Sequence, residues 1–274
     1  MTKMNTTTYL LPLAGLAVLN GCAHPVKKAE QRKPLNIVYI MTDDHSYQTM
    51  SCYDNRYIHT PNLDRIAKEG VRFTNSFVCN SLSGPSRAAM LTGKHSHKNG
   101  YKDNTTGAIF NGQQQTVQQL LQQGGYQTAM IGKWHLGGTP TCFDYWTILP
   151  GQGDYYNPDF ITPEGTVRYD GYVTNVITDL SIDWLREKRD TAKPFCLFVH
   201  HKAIHRNWMG DTTDLALFED KTFEMPANFW DDYQGRIAAG KQEMSIDKDM
   251  TLIYDLKMLD DDVKDHYRSL YTRK

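Results

Sequence analysis

Three apolar runs, each free of charged residues and each opening directly into a polar cluster, constrain this chain more than any other feature. Residues 35–41 (LNIVYIM) lead into Thr42-Asp43-Asp44, and residues 126–131 (YQTAMI) lead into Gly132-Lys133-Trp134-His135. Residues 195–199 (FCLFV) lead into His200-His201-Lys202-Ala203-Ile204-His205. Short runs rich in β-branched and aromatic residues read as buried strands. Helical signals separate them. Thr60 and Pro61 open one helix with Leu63, Ile66 and Ala67 on one face and Gly70 as its stop. Residues 115–123 end at Gly124-Gly125, and Val173, Val176, Ile177, Leu180 and Trp184 recur at helical spacing. Val71-Arg72-Phe73 reads as a further short strand.

Strand and helix in alternation imply an α/β fold, a mostly parallel central sheet with helices on both faces. Ligands bind such sheets at the carboxyl ends of the strands. Asp43, Asp44, Lys133, His135 and His205 are therefore expected on one rim.

With 40% hydrophobic and 22% charged residues the chain can bury a sizeable core. A net charge of −1 without a long basic run leaves no source for counterion-release affinity, so nucleic acid is not an expected partner. Lys3, the apolar stretch 9–19 and Leu19-Asn20-Gly21-Cys22 read as an export signal over residues 1–21. The stretch resembles a bacterial lipoprotein signal with Cys22 as the lipidated residue; an ordinary secretory signal with an incidental cysteine is the alternative. Residues 22–34 read as a solvated tether. The expected location is the periplasm or outer membrane of a Gram-negative bacterium. Cys52, Cys79, Cys142 and Cys196 lack CxxC spacing, which argues against a zinc cluster and leaves disulfide pairing open.

The segment from Ser83 to Gly93 (SGPSRAAMLTG) names a chemistry. It resembles the sulfatase signature, in which Cys or Ser, any residue, Pro, a small residue and Arg are followed by Leu-Thr-Gly. Read without the family, Ser83 caps a helix with Pro85 in its first turn. A helix start also attracts a sulfate ester, so the two readings coexist. Cys79 and Ser81 fail the spacing that Ser83 meets.

The resemblance implies that Ser83 is oxidised to formylglycine by a maturase, and serine rather than cysteine resembles the subclass served by a radical maturase. It implies that Asp43, Asp44 and the modified Ser83 hold calcium against the substrate sulfate. By the same resemblance Arg87 and Lys133 neutralise sulfate oxygens, and His135 contacts the formylglycine hydrate. The implied mechanism has one hydroxyl of the hydrate attack sulfur to give a covalent sulfo-enzyme. In it His205 protonates the leaving oxygen, and His135 removes the proton that lets sulfate depart. Ile204 replaces the usual proline before His205, while His201 and Lys202 are candidate substrate contacts.

Residues 143–158 resemble the subgroup containing N-acetylglucosamine-6-sulfatases, which implies a sulfated glycan as substrate. Complete sulfatases are about twice as long and carry a second calcium pair and a second lysine later in the chain. Asp260-Asp261-Asp262 in the charged stretch 248–274 is not such a pair. Residues 35–274 are thus expected to be the N-terminal catalytic domain of a sulfatase of alkaline phosphatase-like fold, with its C-terminal part missing. Two rival readings are a phosphatase or phosphodiesterase of the same superfamily and an inactive lipoprotein that binds sulfated glycans.

Overall fold

The computed structural model describes residues 33–243, 248–251 and 255. The signal, Cys22, nearly all of the tether, Asp260 to Asp262 and most of the stretch 248–274 lie outside the described residues.

Each expected run forms a strand: β1 (Ile37–Met41), β2 (Gln127–Lys133) and, last among the described residues, β6 (Phe195–His200). Between β2 and β6 come β3 (Tyr145–Leu149), β4 (Asp159–Thr162) and β5 (Gly165–Arg168). The order across the sheet is β1-β6-β2-β3-β4-β5. The first four strands run parallel, and β4 and β5 join antiparallel, which makes the sheet mixed and mostly parallel.

Helices α1 (Pro61–Glu69), α2 (Ser83–Thr92), α3 (Ser96–Asn99), α4 (Val117–Gln123) and α5 (Val173–Asp183) connect these strands. Alternation along the strands sorts the two faces. Ala129 and Ile131 of β2, with Phe195, Leu197 and Val199 of β6, pack against Val173, Ile177 and Trp184 on the α5 side. Met130, Cys196 and Phe198 point the other way, toward Ala88 and Leu91 of α2. Helices on both faces follow from this two-sided core.

Three expectations change. The run 35–41 is not a buried strand: β1 lies at the sheet edge, and its Val38 and Ile40 are 49% and 57% exposed. Hydropathy records what a segment can bury, while sheet order decides what covers it. Leu63 and Ile66 of α1 are exposed as well, and the Thr60 hydroxyl bonds Ser51 and Asp64 rather than capping its helix. Val71-Arg72-Phe73 forms no strand; Tyr53 donates its hydroxyl to the Phe73 carbonyl instead.

Gly132 sits opposite His200 in the β2–β6 ladder at φ 104°, and a Cβ there would lie 2.0 Å from the His200 carbonyl oxygen. Alanine must separate the two central strands beside the rim. Gly132→Ala is expected to cost about 3 kcal/mol or more, from backbone strain plus a broken ladder. Urea unfolding measures this, and a loss under about 1 kcal/mol would refute the close approach.

Candidate active site

The sheet order β1-β6-β2-β3 sets four carboxyl ends side by side, and each delivers polar residues to the same rim. The ends of β1 and β6 are tied together by backbone bonds. His201 N–H donates to the Met41 carbonyl at 2.8 Å, Asp43 N–H to the Ala203 carbonyl at 3.0 Å, and Ile204 N–H to the Asp43 carbonyl at 2.7 Å.

Helix α2 brings Ser83 to this rim from above. Leu82 enters with extended backbone, and Pro85 falls in the first turn, where its missing N–H leaves no bond unmade. Ala88, Ala89 and Leu91 bury its inner side; Gly93, at φ 65°, ends it by donating to the Ala89 carbonyl. The Leu-Thr-Gly of the motif is thus the helix terminus. One turn separates Ser83 from Arg87, so both face the rim.

The Ser83 hydroxyl is held from three sides. His135 Nδ1 lies 3.0 Å from Oγ, Arg87 Nε donates at 3.3 Å, and Oγ donates to Asp43 Oδ2 at 3.5 Å. Arg87 is 2% exposed, with Nη1 donating to the Lys133 carbonyl at 2.6 Å, Nη1 3.0 Å from His200 Nδ1, and Nη2 donating to Asp43 Oδ2 at 3.2 Å. Lys133 is fully buried and pairs with the same Asp43 oxygen.

Two buried cations therefore share one buried carboxylate. Burial raises the Asp43 carboxyl, but the Lys133 hydrogen bond and the charges of Lys133 and Arg87 outweigh it and leave the group below its usual range. Burial pulls Lys133 and Arg87 down from theirs, since each has only a share of Asp43 in return.

His205 stands at the open side, its Nε2 3.9 Å from Asp44 Oδ2 and its Nδ1 2.6 Å from the Arg206 carbonyl oxygen. Asp43, Ser83, Arg87, Lys133 and His135 thus converge, with Asp44 and His205 beside them at the mouth. His201 and Lys202 do not touch Ser83. Lys202 is buried with its ammonium 4.6 Å from the Tyr155 ring centroid, and burial with the nearby Lys133 charge brings it down to about 8.

Two residues of the site escape sequence reasoning. His200 is the last residue of β6, 1% exposed, and braces Arg87 from the α2 side. Gln152 follows β3 and bridges Lys133 and His135. A histidine directly after an apolar run was a usable signal for the first; Gly-Gln-Gly, part of the resemblance over residues 143–158, gave the second no role of its own.

Burial, with the Lys133 and Arg87 charges, holds the His135 imidazole down to about 4, and burial holds His200 well below its usual range. Unfolded histidines titrate near ~6.5, so below that pH the unfolded chain binds protons that these two folded rings refuse. Their contribution to stability is complete above about pH 6.5 and is lost as pH falls toward about 4. Urea midpoints taken between about pH 7.5 and about pH 4.5 should fall steadily; a flat profile would contradict the burial of the two rings.

A cavity of about 500 Å³ opens over this rim, lined by Thr42, Asp43, Asp44, His45, Ser83 and Arg87 among others. Its carboxylates and hydroxyl are hard oxygen donors of the kind calcium takes, which fits one side of a six- to eight-oxygen shell. Among the described residues no group of three or more His, Cys, Asp or Glu is placed to complete it.

A serine hydroxyl backed by two buried cations and flanked by imidazole, at the carboxyl edge of a parallel sheet, is an arrangement suited to binding an anionic ester. Comparison makes this specific: the chain belongs to the sulfatase family, whose match spans residues 35–271. The N-acetylglucosamine-6-O-sulfatase of Bacteroides thetaiotaomicron is 52% identical over 276 residues, covering 98% of this chain and 48% of that protein. The N-acetylgalactosamine-6-O-sulfatase of the same organism is 38% identical over 170 residues, covering 58% of this chain and 33% of that protein. The structure of BT4656 in complex with its substrate D-glucosamine-2-N,6-O-disulfate matches at a TM-score of 0.80 and 53% identity, over 88% of this chain and 49% of that one. This chain spans about half the length of the curated relatives it matches. Sulfatases generally use formylglycine and calcium.

Proposed function

We propose that this chain is the nucleophile-bearing part of a sulfuric ester hydrolase that removes the 6-O-sulfate of N-acetylglucosamine-type residues in sulfated glycans. The observation that carries the reading is the Ser83 hydroxyl held among Asp43, Arg87 and His135. The substrate class draws on the relatives named N-acetylglucosamine-6-O-sulfatase and bound to glucosamine-2-N,6-O-disulfate.

Formylglycine at position 83 would supply a hydrated aldehyde, a stronger nucleophile than serine. Asp43, Asp44 and residue 83 would hold calcium, which would supply a further positive charge to sulfate oxygens.

The chain's own groups do the rest. Arg87 and Lys133 present fixed positive charge where the ester's equatorial oxygens gather charge, with no reorganisation during the reaction. His205 spends Nδ1–H on the Arg206 carbonyl, which leaves Nε2 to deliver a proton to the departing sugar oxygen. His135 holds the oxygen on residue 83 by a hydrogen bond through Nδ1. Lys202, and with it His201, is assigned to anionic groups on the sugar. Export by the leader at residues 1–21, anchoring through Cys22 and modification by a radical maturase belong to the same proposal.

The test is to co-express the full chain with such a maturase, weigh it intact and assay sulfate release from N-acetylglucosamine 6-sulfate beside the matching phosphate ester. Residue 83 should be lighter by the mass of two hydrogens, and sulfate alone should be released. Release of sulfate by a chain with unmodified Ser83, or release of phosphate alone, would overturn the reading.

A further inference from the structure

The turn after β3 carries a side chain whose two ends meet two different site residues. Gly153 N–H donates to the Pro150 carbonyl at 2.8 Å, closing a tight turn with Gly151 at φ 53° and Gly153 at φ 68°. Both values favour glycine, and a Cβ on Gly153 would lie 2.8 Å from Leu149 Cδ1. The two glycines flank Gln152 and fix where its amide points.

Gln152 Oε1 accepts from Lys133 Nζ at 2.5 Å, and Gln152 Nε2 lies 3.1 Å from His135 Nε2. An amide's orientation is often ambiguous, but an ammonium only donates, so the atom facing Lys133 must be the oxygen. The NH2 then faces His135, and an NH2 only donates, so His135 Nε2 must be the acceptor. A neutral imidazole whose Nε2 accepts carries its proton on Nδ1, the atom 3.0 Å from Ser83 Oγ.

We propose that Gln152 is a positioning residue that orients Lys133 and His135 together and presents His135 to the oxygen on residue 83 as an Nδ1–H donor. The hydrogen bonds then form a closed circuit. Lys133 donates to Gln152, Gln152 to His135, His135 to Ser83, and Ser83 to Asp43, whose Oδ2 also pairs with Lys133. Bonds that run in one direction polarise one another. The oxygen on residue 83 rests between two N–H donors, Arg87 and His135, and Asp43 is left as the acceptor of its proton. The catalytic value of this arrangement rests on the hydrolase reading; the tautomer does not.

The experiment uses the full chain with unmodified Ser83 and 15N-labelled histidine, recorded by NMR at neutral pH without substrate, with His135→Asn to assign the ring. In the parent, Nδ1 of His135 should carry the proton and Nε2 should not. Gln152→Glu, whose carboxylate can only accept, should move the proton to Nε2; Gln152→Leu should release the preference and serves where the charged variant fails to fold. A parent ring protonated on Nε2, or a tautomer indifferent to both variants, overturns the proposal. In parallel, Gln152→Leu in the matured chain should lower kcat about 10- to 100-fold with a much smaller change in KM, as outer-shell partners do. Release of phosphate alone by a chain with the Nδ1–H tautomer would sink the sulfuric ester hydrolase reading alone, and a sulfate-releasing chain with the Nε2–H tautomer would sink this one alone.

Discussion

A Ser83→Ala chain should fold as the parent does and release no measurable sulfate. Ser83 is the first residue of α2, and its hydroxyl bonds no helix N–H; it is turned to His135, Arg87 and Asp43. Alanine is a good helix former, and Arg87 keeps its bonds to the Lys133 carbonyl and Asp43 without it. Stability should therefore change by less than about 1 kcal/mol in urea. Removing the proposed nucleophile should lower kcat by ~10⁴-fold or more, as loss of a nucleophile does elsewhere. Residual turnover within about 10-fold of the parent would place the chemistry on another residue.

Replacing Arg87 by methionine should damage both fold and activity. The guanidinium is 2% exposed and satisfies the Lys133 carbonyl, Asp43 Oδ2 and Ser83 Oγ at once. Methionine fills much of its volume but takes one partner from each of those acceptors and leaves Asp43 paired with one buried cation, Lys133, instead of two. Removing one member of a buried charged network costs about 3–5 kcal/mol. The urea midpoint should fall accordingly, and the matured variant should lose turnover because one of the two buried cations facing the ester is gone. A loss below about 1 kcal/mol would show that water reaches and solvates Asp43.

Much of this site is legible in the chain. Asp43, Lys133 and His205 each follow an apolar run, and strands that end in polar residues at a sheet's carboxyl edge bring those residues together in any parallel arrangement. Ser83 and Arg87 follow from the helix turn that separates them. Elsewhere the reading stops for physical reasons. The stretch 145–168 holds three strands of four or five residues without a helix between them, too short for a period to stand out. With β3 unread, the turn behind it has no place, and Gln152 looks like any polar loop residue.

Local composition thus settles which segments are strands and helices and which of their ends carry chemistry, because alternation, turns and caps act over a few residues. Sheet order is a long-range pairing that no such window contains. It places β1 at an exposed edge although its sequence reads as buried, and it sets β6 between β1 and β2. That insertion puts His200 against Arg87 and lets Asp43 meet Lys133. The next strand, β3, brings Gln152 between Lys133 and His135. The candidate nucleophile could be named from eleven consecutive residues, Ser83 to Gly93, through their family resemblance. The charges and proton positions around it exist only where four strand ends, distant in sequence, are packed side by side out of water.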